Sequence, residues 1–154
     1  MSENGSSVLI RYTSCYRHLV DDKRRVQIPS KWRSKEEGVE YALILWPHLE
    51  QPDACLLVLP PKAYDDFYRR LTEQPFADPR VEALRRTLGE KTDSVQPDKA
   101  GRICIPENMA KLAQIGPEAI MNGMFDRFQI WNPERYEATR AGVAVMAPDA
   151  LKVI

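Results

Sequence analysis

Apolar and polar residues alternate most cleanly in two short stretches, Arg25-Val26-Gln27-Ile28 and Arg102-Ile103-Cys104-Ile105, each closed by a proline, Pro29 or Pro106. A period of two puts Val26 and Ile28, or Ile103 and Ile105, on one face and the arginine on the other, the pattern of a half-buried strand. Elsewhere the pattern changes. Tyr41 to Trp46 is almost continuously apolar and short enough for a strand buried on both faces, with Pro47 expected to end it; residues 50–54 read as a polar hairpin loop and Cys55 to Leu59 as the returning strand. Val8 to Arg11 and Cys15 to Val20 read as short strands, and Lys31-Trp32-Arg33 as a single helical turn with its tryptophan inward.

Helical spacing follows. Pro60-Pro61 starts a helix through Leu71 that places Tyr64, Phe67, Tyr68 and Leu71 on one face. Asp78 and Pro79 are N-cap and first residue of a second helix, with Val81, Leu84 and Leu88 inward and Gly89 expected to end it. Asn108 to Ala113 is a short helix, Ala119 to Met124 and Arg127 to Trp131 a strand pair, and Asn132-Pro133 starts a last helix.

The two alternating stretches belong to a repeat. Val20-Asp-Asp-Lys-Arg-Arg-Val-Gln-Ile-Pro29 superposes on Pro97-Asp-Lys-Ala-Gly-Arg-Ile-Cys-Ile-Pro106, pairing Asp21 with Asp98 and Arg25 with Arg102. The repeat resurfaces where Leu56 to Pro61 aligns with Phe128 to Pro133. Each unit reads as strand, turn, strand, hairpin and helix, and internal repeats are to be settled before any fold is assigned. An Asp four residues before an Arg across a tight turn can hold the guanidinium in one orientation, as a cation presented to a phosphate or a base edge. Taken singly, such a pair also reads as a salt bridge that locks its turn.

Charge sharpens this picture. The chain of 154 residues has no net charge, but residues 11–35 carry eight basic residues against Asp21 and Asp22, a surplus of +6; from Glu36 onward 14 Lys and Arg face 19 Asp and Glu. Lys23, Arg24 and Arg25, with Lys99 and Arg102, can neutralise phosphates and release counterions. Cys15, Cys55 and Cys104 have no paired spacing, and His18 and His48 complete no zinc pattern, so reduced thiols and no metal are expected. No hydrophobic run approaches the ~20 residues of a membrane helix, Met1 to Ser7 lacks the form of a signal peptide, and a cytosolic protein is expected. No G-x-S-x-G, P-loop or H-E-x-x-H stands in the sequence, so the expectation is a non-enzyme with neither cofactor nor small-molecule substrate.

The doubled D-x-x-x-R turn followed by apolar-x-apolar-Pro, each unit closed by a hairpin and a Pro-started helix, resembles the MraZ family of bacterial transcriptional regulators. The resemblance runs from about Val8 to Arg140 and includes Phe125-Asp-Arg-Phe-Gln-Ile-Trp-Asn132. It implies an α+β, β-rich chain of two tandem AbrB-like swapped-hairpin (double-split β-barrel) half-domains, related by a pseudo-twofold with flanking helices. Residues 8–73 and 80–140 would be the two repeats, and 1–7 and 147–154 flexible. It also implies a ring homo-oligomer in the cytoplasm, on the nucleoid, binding repeated double-stranded DNA boxes upstream of a cell-division and cell-wall gene cluster. Carried over residue by residue, the DNA-contacting turns are Asp21, Lys23 and Arg25, with Asp98, Lys99 and Arg102. Arg24 departs from the pattern, since family members usually have glycine there, as Gly101 is in the second copy. A positive φ at Arg24 would cost about 1–2 kcal/mol, so either that turn has another shape or Arg24 makes a contact of its own. The alternative is an antitoxin-like or scaffold interaction module of the same fold, which the acidic remainder of the chain would suit.

Overall fold

Leu43 and Leu45 point to one side of a central strand and Ala42 and Ile44 to the other, and both sides are covered. That is why the run from Tyr41 is apolar without alternation. The computed structural model describes residues 9–154 and contains, in chain order, strands β1 (Cys15–Leu19), β2 (Arg25–Gln27), β3 (Tyr41–His48) and β4 (Gln51–Leu59), with a 3₁₀ turn at Ser30–Trp32. Helices α1 (Pro61–Thr72) and α2 (Pro79–Glu90) follow, then β5 (Thr92–Val95), β6 (Arg102–Cys104), α3 (Glu107–Leu112), β7 (Glu118–Gly123), β8 (Phe128–Trp131) and α4 (Pro133–Ala150), with a last 3₁₀ turn at Leu151–Val153. The fold is α+β. A six-stranded sheet has the order β1-β7-β8-β4-β3-β5, and β2 pairs with β6 in a separate two-stranded ribbon. Every pairing is antiparallel.

One face of the sheet carries an aromatic centre. Trp32 and Phe128 are fully buried with ring centroids 4.9 Å apart, and Tyr12 stacks on Phe128 at 5.5 Å. The Trp32 indole N–H donates to the Thr13 carbonyl at 3.0 Å, so its polar atom is satisfied as burial requires. Val26, Ile28, Ile103 and Ile105 close over this centre with at most 1% exposure, which seats the ribbon on the sheet through its apolar face. On the opposite face Ala42, Ile44, Leu57 and Leu59 meet Ala63, Tyr64 and Phe67 of α1. Burial of the Tyr12 and Tyr41 rings raises both phenols above their ordinary value.

The structure moves several expected boundaries. Pro47 does not end β3; the strand continues to His48 past a register shift between Trp46 and His48, and proline is tolerated where the ladder is interrupted. The loop expected over 50–54 is strand from Gln51, because the chain turns at Leu49 and Glu50, with Leu49 at φ 52°. Of the strand expected over Val8 to Arg11, Val8 lies outside the described residues; Leu9 to Arg11 form none, and pairing begins at Tyr12, which exchanges backbone hydrogen bonds with Phe125. Gly89 lies inside α2, which is capped at Lys91. Leu84 is 47% exposed rather than inward, as α2 meets the rest of the chain through buried Val81 and half-buried Leu88. Tyr68 likewise points outward while Tyr64 and Phe67 pack. Helix α4 runs through 147–150, and every residue from 147 to 154 is exposed.

Candidate nucleic-acid interface

The candidate interface grows from two turns of identical construction. In the first, Asp21 Oδ1 accepts the backbone N–H of Lys23 at 3.0 Å and of Arg25 at 2.8 Å, while Oδ2 accepts Arg25 Nε at 2.7 Å. In the second, Asp98 Oδ1 accepts the N–H of Ala100 and of Arg102, both at 2.9 Å, and Oδ2 accepts Arg102 Nε at 2.9 Å. Backbone bonds match as well: Asp21 N–H donates to Arg25 O and Arg24 N–H to Asp21 O, as Asp98 donates to Arg102 and Gly101 to Asp98. These donors, the backbone N–H groups of Arg25 and Arg102 first, hold both carboxyls below the ordinary aspartate value. The Asp21 carboxylate in turn raises the Arg25 guanidinium above its own.

Such a turn is at once a lock and a mount. Asp takes the Nε of the arginine and thereby fixes the plane of the guanidinium, while among the described residues no acceptor engages the Nη groups of Arg25 or Arg102. A planar fork with its outer donors free matches a phosphate or a guanine edge. Both arginine side chains are about one-third exposed, at 33% and 35%.

The antiparallel β2–β6 ribbon carries one turn at each of its two ends. Val26 pairs with Ile103, Arg25 with Cys104 and Gln27 with Arg102. Between β4 and β8, Leu57 pairs with Gln129, another two positions that the sequence repeat aligns. Further ties cross the ribbon: Gln27 Nε2 donates to the Ala100 carbonyl, and Cys104 Sγ lies 3.3 Å from the Lys23 carbonyl. His18 Nδ1 is 2.7 Å from the Gln27 carbonyl. A cleft of about 590 Å³ beside the second turn is lined by Arg33, Lys35 and Lys99 together with Glu36, Glu37 and Asp98, so the end of the basic segment reaches the second turn among carboxylates.

Arg24 does adopt left-handed backbone, φ 63° against 80° at Gly101, so the first turn has the shape of the second. Its side chain folds across the ribbon, Nε donating to the Ile105 carbonyl at 3.0 Å and Nη1 lying 3.9 Å from Glu107. Lys23 and Lys99 are exposed at the turn tips, Arg25 and Arg102 flank the ribbon, and Arg24 is turned back onto the chain. The residue that sequence reasoning missed is Arg33, whose Nε donates to the Ile28 carbonyl at 3.0 Å. Its signal was present: Arg33 aligns with Ala110, so the repeat carries Arg24 and Arg33 in one copy against Gly101 and Ala110 in the other.

Comparison with known proteins agrees with this architecture. The family model described as "MraZ protein, putative antitoxin-like" matches residues 89–148. A protein of Saccharopolyspora erythraea named "Transcriptional regulator MraZ" is 34% identical over 118 residues, 77% of this chain and 78% of its own. The chain belongs to the MraZ family. Two further MraZ proteins bearing that name are similar: that of Roseiflexus castenholzii is 30% identical over 123 residues, 79% of this chain and 81% of its own, and that of Caulobacter vibrioides 27% over 143 residues, 93% and 90%. The MraZ model covers β5, the second turn, β6, α3, β7, β8 and α4 as far as Pro148, while the longer alignments reach across most of the chain.

Proposed function

We propose that the protein is a sequence-specific DNA-binding transcriptional regulator that reads repeated upstream boxes with Arg25 and Arg102. The observation that carries this reading is the pair of matched Asp–Arg turns on one antiparallel ribbon, each with a guanidinium fixed at Nε and open at its Nη groups. Lys23 and Lys99 supply phosphate contacts and the steep salt dependence that follows from counterion release. Asp21 and Asp98 act by orienting the arginines. The relatives' shared name supports regulation of transcription as the outcome.

In this reading the halves 8–73 and 80–140 interleave as AbrB-like swapped hairpins about a pseudo-twofold passing near Val26 and Ile103. A ring of copies presents the ribbon several times, and repeated boxes are then gripped through effective concentration when their spacing matches the ring. The target is the DNA upstream of a cell-division and cell-wall gene cluster, in the cytoplasm on the nucleoid, with no enzymatic step, cofactor or metal. The test is a polarisation titration against the DNA upstream of the protein's own gene and against a scrambled duplex, at two salt concentrations. Tighter, salt-sensitive binding to the upstream duplex is expected; equal affinity for both duplexes overturns the reading. A second reading, an antitoxin-like interaction module, draws on exposed apolar residues of the last helix and turn, Val143, Val145, Met146, Leu151 and Val153. Its partner affinity would hardly respond to salt.

A further inference from the structure

At each end of the ribbon one isoleucine binds the opposite turn through its backbone. Ile105 N–H donates to the Arg24 carbonyl, and Ile28 N–H donates to the Gly101 carbonyl, both at 2.9 Å. The carbonyl of that same isoleucine then receives an arginine Nε at 3.0 Å, but the two ends recruit it from different places. At Ile105 the donor is Arg24, from the left-handed position of the turn itself. At Ile28 it is Arg33, which reaches across the bare face of Gly101, where a β-carbon would stand 2.8 Å from Arg33 Nε. Glycine at the turn with arginine after the strand is thus replaced, at the other end, by arginine at the turn with Ala110 after the strand.

We propose that Arg24 and Arg33 are a matched pair of positioning residues that hold the two turns in register across the ribbon, acting through Ile105 and Ile28 rather than on the DNA itself. This removes Arg24 from the DNA-contacting set expected from the sequence and adds Arg33 as its structural counterpart. Each of these two guanidiniums has its Nε committed to a strand-end carbonyl rather than to the aspartate of a turn, as in Arg25 and Arg102, and Arg24 is further turned toward Glu107. An Nε donor at a carbonyl is a directional requirement that a lysine ammonium on a flexible stem does not reproduce. The inference rests on the proposed DNA-binding reading for its consequence, while its geometry is testable without DNA.

The experiment compares wild-type protein with Arg24→Gly, Arg24→Lys and Arg33→Lys. Each is titrated against the upstream duplex and a scrambled duplex over a salt series, and amide hydrogen exchange is followed at Ile105 and Ile28 in the absence of DNA. Both Arg24 variants are expected to exchange faster at Ile105, and Arg33→Lys at Ile28. Each is expected to lose about tenfold in preference for the upstream duplex, within what one well-placed arginine–base contact discriminates. The log–log salt slope is expected to stay at the wild-type value, since no phosphate contact is lost. A merely structural defect would weaken both duplexes alike and leave their ratio intact. The proposal is overturned if Arg24→Lys and Arg33→Lys retain wild-type preference and exchange, or if either position lowers the slope by about 0.9, the mark of one lost phosphate contact. Wild-type protein without preference for the upstream duplex would defeat the DNA-binding reading instead, and exchange at Ile105 and Ile28 would still decide the clamp.

Discussion

Arg33 lies over Gly101, its Nε and Cδ within 2.9 Å of the place a β-carbon would take, and it uses that passage to reach the Ile28 carbonyl. Gly101 is therefore required twice, by its φ of 80° and by the arginine above it. Gly101→Ala is expected to destabilise the protein by about 1–3 kcal/mol through backbone strain and displacement of Arg33. In an Arg33→Ala background the same change is expected to cost less, because only the strain remains. Thermal unfolding of the two single variants and the double variant measures that coupling; strict additivity would refute the contact.

Arg25 and Arg102 carry the proposed base reading. Arg102→Ala is expected to abolish preference for the upstream duplex while the proposed oligomer stays intact, and Arg25→Ala to act in the same direction. Gel shifts for binding and light scattering for assembly test this. Unchanged affinity for the upstream duplex in Arg102→Ala would rule out the assignment.

The turns also respond to acid with a defined sign. Asp21 and Asp98 are held below the ordinary carboxylate value in the folded chain, chiefly by backbone N–H donors. Their contribution is therefore complete above the unfolded aspartate pKa of about 3.9, and it is lost as pH falls through the lower folded values. NMR titration of the two carboxyl groups is expected to give midpoints below those of exposed aspartates. Asp98→Asn is expected to remove the Asp98 share of this acid dependence, readable as a flatter loss of stability as pH falls below the unfolded aspartate value of about 3.9.

Gly123 tests the seam between β7 and the segment before β1. A β-carbon there would sit 2.3 Å from the Tyr12 backbone carbonyl oxygen, which no rotamer change relieves. Gly123→Ala is expected to be more damaging than Gly89→Ala, since a β-carbon at helical Gly89 meets nothing within 4 Å and alanine favours helix. Comparison of the two melting temperatures decides it.

Phe128 sits at the middle of the aromatic centre, touching Trp32, Tyr12 and Tyr41. Phe128→Ala is expected to cost about 3–5 kcal/mol, the range for an aromatic deleted from a core. Denaturant unfolding provides the value, with the slope checking that the transition stays cooperative.

Local chemistry was legible in the sequence, and distant pairing was not. The Asp–Arg turns, the inward Trp32, the caps at Asp78 and Asn132 and the Pro-started helices all depend on a few neighbouring residues, so their signals survive without tertiary context. Pro47 misled because its effect depends on whether a partner strand needs its missing N–H, and the register shift removes that need. Gly89 misled for a similar reason: a glycine near a helix end marks a stop only if the next residues turn away. Leu84 looked inward because helical spacing names a face without saying how wide the neighbouring surface is. The role of Arg33 was hidden further still, since it follows from a glycine on the other side of the ribbon.

The tie between Arg24 and Ile105 spans 81 residues of chain. During synthesis, then, the first turn leaves the ribosome with its apolar side uncovered and its strand unpaired, and it waits for most of the remaining protein before it can dock. Closing so long a loop adds entropy cost and slows folding relative to local contacts. It also means that a nascent or truncated chain ending before β6 has no finished ribbon, and the two ends of that ribbon are completed together or not at all.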